Sequence, residues 1–208
     1  MNISTTKRIT IVLLGLFSAI LPAIGATPTA ASQLEKCAAA IKNAASLKID
    51  FLLGSAGQQV SMKMVISGSK FTLDGAGMKL WYDGKTQWTY LSEYRELNIN
   101  EPTSEELLEI NPFSIVNNWQ KHYTARRLED KSLVIELVPR KGMVTNIRKA
   151  VVTFDVKTNL PSKLVITLSD GRTMTAVVTN ITTGAAMKPS DFVYDKTKYP
   201  ASEVIDLR

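Results

Sequence analysis

Apolar and polar residues alternate along most of this chain, and a period of two is what a strand with one buried and one wet face requires. Leu47, Ile49 and Phe51 alternate with Lys48 and Asp50, and Val60, Met62, Met64 and Ile66 with Ser61 and Lys63. Phe71 and Leu73 flank Thr72. Asp83-Gly84 separates Leu80-Trp81-Tyr82 from Gln87-Trp88-Thr89-Tyr90, and Asp170-Gly171 separates Leu164–Leu168 from Met174–Val178. Both dipeptides tolerate the positive φ of tight hairpin turns. A count of such segments predicts ten or about eleven strands, mostly in one meander. No Gly-, Pro- or Ser-rich linker divides them, so a single domain is expected.

Helical patterning interrupts the strands twice. Ser32 with Glu35 three residues on has capping-box form, and Leu34, Cys37, Ile41 and Ala45 then share one helical stripe. In the middle, Thr103-Ser104-Glu105-Glu106 has the same form and leads into Leu107, Leu108 and Ile110. Asn111-Pro112 ends that helix and opens a second carrying Phe113, Val116 and Trp119. Sheet, short helices and sheet again is the order that gives a curved open sheet a lid. A crossover packed on a sheet edge would have the same pattern. The strand Tyr94–Asn100, charged at Arg95 and Glu96, reads as an exposed edge where a partner could dock.

Lys7 and Arg8 precede an apolar run from Ile9 to Leu21, followed by Pro22 and the small residues Ala23, Gly25 and Ala26. That order predicts a cleaved secretory signal peptide over residues 1–26 and a mature domain over 27–208. A membrane anchor fits less well, because the run is shorter than the ~20 residues a spanning helix needs and Pro22 interrupts it.

Most chemistries find no residues here. The net charge of +6 is carried by scattered pairs such as Arg126-Arg127 and Arg140-Lys141. A nucleic-acid footprint would gather them on one element with aromatics interleaved. One cysteine excludes an internal disulfide, and Cys37 follows the charged Glu35-Lys36 rather than the small residues of a lipid-attachment box. It reads as a buried thiol on the helical stripe. The single histidine, His122, placed on a strand by its neighbours, has no partners with which to bind zinc. No Ser-His-acid set or phosphate loop is present, and Gly75-Ala76-Gly77 lacks the strand-to-helix setting of a dinucleotide fingerprint. Glu105-Glu106 lies in a first helical turn, where the dipole accounts for it. Neither catalysis, a metal nor a cofactor is expected. The seven methionines suit an adaptable apolar cavity or an ordinary core equally well.

The stretch Leu80–Tyr90 resembles the Asp-Gly-Lys-x-x-Trp-x-Tyr hairpin of the periplasmic outer-membrane lipoprotein carrier (LolA-like) family. Asn111-Pro112-Phe113 is similar to the segment that opens its lid helix, Asp191-Phe192-Val193-Tyr194 to its final Phe-x-Phe strand, and Val204–Arg208 to its tail. The resemblance covers nearly the whole mature chain. It implies a mainly β fold, an open (incomplete) antiparallel β-barrel of about eleven strands with an α-helical lid and an N-terminal helix. It implies further a monomeric periplasmic chaperone that holds acyl chains of lipoproteins in an apolar cavity. Its partners would be an inner-membrane lipoprotein-releasing transporter and an outer-membrane receptor. Combined with the alternation, it predicts a cavity lined by Met62, Met64, Phe71, Leu73, Trp88, Tyr90, Leu97 and Ile99 from the sheet and by Leu107, Leu108, Phe113 and Val116 from the lid. One departure is clear: the stretch Ile66–Phe71 has no match to the arginine that ties the lid in well-studied members, and Lys70 lacks its planar fork. The rival expectation is an envelope lipid-binding sensor or scaffold built on the same half-barrel.

Overall fold

The computed structural model describes residues 29–55, 57–117, 119–128 and 133–208. The signal peptide read from the sequence lies outside them. Twelve strands form one sheet: β1 Ser46–Ser55, β2 Gln58–Ser67, β3 Lys70–Gly75, β4 Met78–Tyr82, β5 Gln87–Leu91, β6 Glu96–Asn100, β7 Tyr123–Arg127, β8 Val134–Pro139, β9 Ile147–Phe154, β10 Pro161–Leu168, β11 Thr173–Gly184 and β12 Glu203–Asp206. Their spatial order is β12-β6-β5-β4-β3-β2-β1-β11-β10-β9-β8-β7, and the two end strands do not meet. The barrel is therefore open. All neighbours are antiparallel except β12, which runs parallel to β6. This last strand covers the segment Tyr94–Asn100, which is an interior strand rather than the expected edge. Its turn is held by Ser202, whose backbone N–H donates to the Arg95 carbonyl at 2.8 Å.

Both Asp-Gly turns form where the alternation places them. Asp83 Oδ1 accepts from the backbone N–H of Lys85 and Thr86 at 2.9 and 2.8 Å, and Gly84 takes φ 103°. The carboxylate thus satisfies the backbone groups of a four-residue loop.

Helix α1, Ala30–Asn43, precedes the sheet and packs on α3, Ser114–Asn117, and on β7. Its cap is Thr29, whose hydroxyl accepts from the Ser32 backbone at 3.1 Å, so the helix starts one turn earlier than the Ser32-Glu35 pattern predicts. Leu34 and Cys37 are fully buried, as the stripe requires, and burial pushes the Cys37 thiol up to about 12. Helix α2, Ser104–Ile110, has the expected capping box: Thr103 Oγ1 accepts from Glu106 N–H at 3.2 Å, and the Glu106 carboxylate accepts from Thr103 N–H at 2.7 Å. Helix α4, Trp119–His122, completes the group and places His122 at a helix end rather than on a strand. β6 and β7 lie near opposite ends of the sheet, so α2 to α4 carry the chain between them.

The core is split between the two faces of the sheet. One large cluster unites α1, the connecting helices and the inward side chains of β1–β4 and β8–β11. A smaller one, on the other face, holds Trp81, Tyr90, Leu97 and Ile99, with Trp88 partly buried beside them. The C-terminal segment covers it with Tyr194, Tyr199 and Ala201. Residues Pro189–Phe192 form a 3₁₀ turn there, where the resemblance implies a strand.

Candidate functional site

Alternation on neighbouring strands sets which residues share the lid-facing side. Register pairs Met62 with Gly75, Met64 with Leu73 and Ile66 with Phe71 across β2 and β3, then Leu73 with Leu80 and Phe71 with Tyr82 across β3 and β4. Partners at one level project to one face, so these side chains build a continuous apolar floor. Gly75 belongs to that floor because a Cβ there would meet the Ser61 carbonyl and the Met62 sulfur.

Two cavities lie along this floor under α2. The first, of about 350 Å³, is lined by Phe51, Leu53, Met62, Leu73, Met78, Leu80, Gln87, Thr89 and Met174, with Ile110 and Pro112 from the lid. The second, of about 300 Å³, is of mixed character: Ile66, Phe71, Tyr82, Leu107, Leu108 and Met143 line it together with Ser69, Ser104, Asn111, Ser114, Asn117, Lys121 and His122. Along β2, Met62 belongs to the first, Ile66 to the second, and Met64 between them is fully packed. Leu73 and Phe71 divide in the same way on β3, and Leu80 and Tyr82 on β4. The hollows therefore follow one groove parallel to the strands, interrupted by packing.

The lid is fastened by apolar contact. Phe113 meets Phe51 edge to face at 5.4 Å and is 2% exposed, and Val116 is equally buried. Asn111 shapes the hinge: its Oδ1 accepts from Phe113 N–H at 3.1 Å, and its carbonyl accepts from the Ser114 hydroxyl at 2.6 Å. Among the described residues no arginine lines either cavity. Burial, with the Asp83 charge beside it, raises the Tyr82 phenol above its ordinary value, so it stays neutral. His122 Nδ1 lies 3.3 Å from Met143 Sδ at the second cavity, and no group of three or more potential metal ligands exists among the described residues.

Of the residues expected in the cavity, Met62 and Leu73 line the first hollow and Phe71, Leu107 and Leu108 the second. Met64, Phe113 and Val116 share the same large core but are solidly packed. Trp88, Tyr90, Leu97 and Ile99 are not brought to the site. Trp81 pairs with Trp88, Trp88 with Ile99, and Tyr90 with Leu97, all on the face that the C-terminal segment covers. The inner positions of β5 and β6 are instead Gln87, Thr89, Asn98 and Asn100. Met78, Leu80 and Met174 were missed, although their own alternation carries the signal. Ile110 and Pro112, lid residues by their sequence pattern, also close the first hollow from above.

The structure is thus a lidded half-barrel with hollows along its concave face. The family described as outer membrane lipoprotein carrier protein LolA matches residues 25–171, and the chain belongs to that family. No curated protein matches it in sequence. Among solved structures it is similar to an uncharacterized conserved protein from Thermus thermophilus, with TM-score 0.55 and 10% identity over 85% of this chain and 98% of that one. A LolA superfamily protein from Nitrosomonas europaea gives TM-score 0.43 and 12% identity over 81% and 99%. The Pseudomonas aeruginosa MucA/MucB complex gives 0.42 and 14% over 80% and 61%. At 10% identity the likeness to the Thermus protein is one of fold.

Proposed function

We propose that this protein is a periplasmic carrier that holds the acyl chains of lipoproteins in the concave groove during passage from the inner to the outer membrane. The observation that carries this reading is an apolar hollow, continued along the groove by a second of mixed lining, under a lid held by apolar contacts. Burying an acyl chain is favoured by about 0.8 kcal/mol per CH₂, so a groove of this lining supplies the binding energy without chemistry. Release requires the lid to open, and contacts such as Phe113 on Phe51 part without leaving a charge unpaired. An inner-membrane transporter would load the groove and an outer-membrane receptor would empty it. The leader over residues 1–26 would direct the chain to the periplasm, where it acts as a monomer.

Leu108 lines the second hollow and is 9% exposed. Leu108→Glu places a charge against the apolar floor and should weaken retention of a fluorescent fatty acid at least tenfold, while far-UV circular dichroism stays unchanged. Unchanged retention in the folded variant removes the lid from the mechanism. Absence of any acyl binding in the parent removes the function and leaves the scaffold reading.

A further inference from the structure

One wall of the first cavity breaks the apolar pattern. Gln87 and Thr89 enter it from β5, opposite Asn100 and Asn98 of β6, so the floor turns polar at this side. Asn98 Nδ2 donates to Glu96 Oε1 at 2.6 Å and is accounted for. Gln87 is not. Its Nε2 donates to Thr89 Oγ1 at 3.1 Å, while Oε1, on a side chain only 7% exposed, has no hydrogen-bond partner. A buried amide oxygen left unpaired is costly, and a methionine of similar shape would fill the same space at no such cost. The oxygen is shut off from solvent, so a ligand group reaches it through a turn of the Gln87 side chain toward the hollow.

We infer that the ligand of the first cavity is an acyl or alkyl chain bearing a hydrogen-bond donor, a hydroxyl or an amide N–H, received by Gln87 Oε1. The inference rests on the carrier reading and narrows it. A plain hydrocarbon chain leaves the oxygen unpaired, and an ester offers it only another acceptor. A site built to meet a donor rejects the analogue that lacks one, because its own polar group is then stranded. Were the amide turned over, with the Thr89 hydroxyl donating to Oε1, the bare NH₂ would prefer acceptors, and the ester would bind best.

The test uses the whole protein and displacement of a bound fluorescent fatty acid by dodecan-1-ol, dodecanamide and methyl dodecanoate. The alcohol or the amide should displace it about tenfold more effectively than the ester, relative to their ranking on Gln87→Met, where the three should come within about twofold. Preference for the alcohol alone assigns a hydroxyl, and for the amide alone an N–H. Equal displacement by all three in the parent, an ester that ranks first, or a preference that survives in Gln87→Met overturns the donor assignment and leaves the carrier reading standing. Failure of the fluorescent acid itself to bind removes both. If Gln87→Met does not fold, the ranking in the parent decides alone.

Discussion

The two faces of the sheet are packed with different side chains, to opposite effect. On the convex face, Trp81 packs edge to face on Tyr199 at 4.8 Å and on Tyr194 at 5.7 Å, and Tyr90 meets Tyr199 at 5.7 Å. The strap that carries these tyrosines is fixed by a hydrogen bond from Tyr90 to the Pro200 carbonyl and by the parallel pairing of β12. On the concave face, methionines and leucines make up most of the first hollow's lining, one ring pair fastens the lid, and two hollows lie beneath it. Rigid rings with polar handles pack in one way, whereas unbranched thioethers repack around what they meet. One face closes the fold permanently and the other stays adaptable.

Breaking the closed face should therefore cost stability without touching binding. Trp81→Ala removes the centre of the convex cluster and should lower stability by about 3–5 kcal/mol in urea unfolding. Acyl affinity of the protein that remains folded should hold within about twofold. Equal loss of affinity would mean that the two faces are not independent.

A smaller effect sharpens the concave side. Burial raises the Cys37 thiol from 9.0 to about 12, so above pH 9.0 the unfolded chain loses this proton while the folded chain keeps it. Stability is unaffected by this group below pH 9.0 and falls as pH rises toward 12, by about 1.4 kcal/mol per pH unit. Cys37→Ala should remove that part of the slope, leaving the contribution of buried Tyr123, also raised to about 12. Identical slopes in parent and variant would place the thiol in contact with solvent. Met62→Leu should change stability least, by less than about 1.5 kcal/mol. It should nonetheless narrow the range of chain lengths retained, measured by displacement with saturated acids from ten to eighteen carbons. An unchanged profile would show that methionine flexibility plays no part.

What the sequence discloses, and what it conceals, divides along the same line. Alternation and the Asp83-Gly84 and Asp170-Gly171 turns place the strands, and Thr103 with Glu106 places the lid helix, because each signal is local. Alternation states that β5 and β6 have two faces, but not which one looks inward. Trp88, Tyr90, Leu97 and Ile99 look like cavity residues because they are apolar; they face outward because Tyr194 and Tyr199, about a hundred residues later, cover them. Glu203–Asp206 is too short and polar to announce a strand, and only its pairing with β6 makes it one. Gln87, between Thr86 and Trp88, reads as an ordinary polar position of an alternating strand, and only the register of β5 turns it toward the cavity.

If acyl chains enter the concave hollows, a crystal of the protein with a bromine-labelled fatty acid, read at the bromine absorption edge, will locate them. Bromine should lie between the sheet and the lid, beside Met62, Leu73 and Ile110 or beside Phe71 and Leu108. Bromine confined to the convex face around Trp81 and Tyr199, with the concave hollows unchanged, would place the ligand elsewhere and refute the carrier reading.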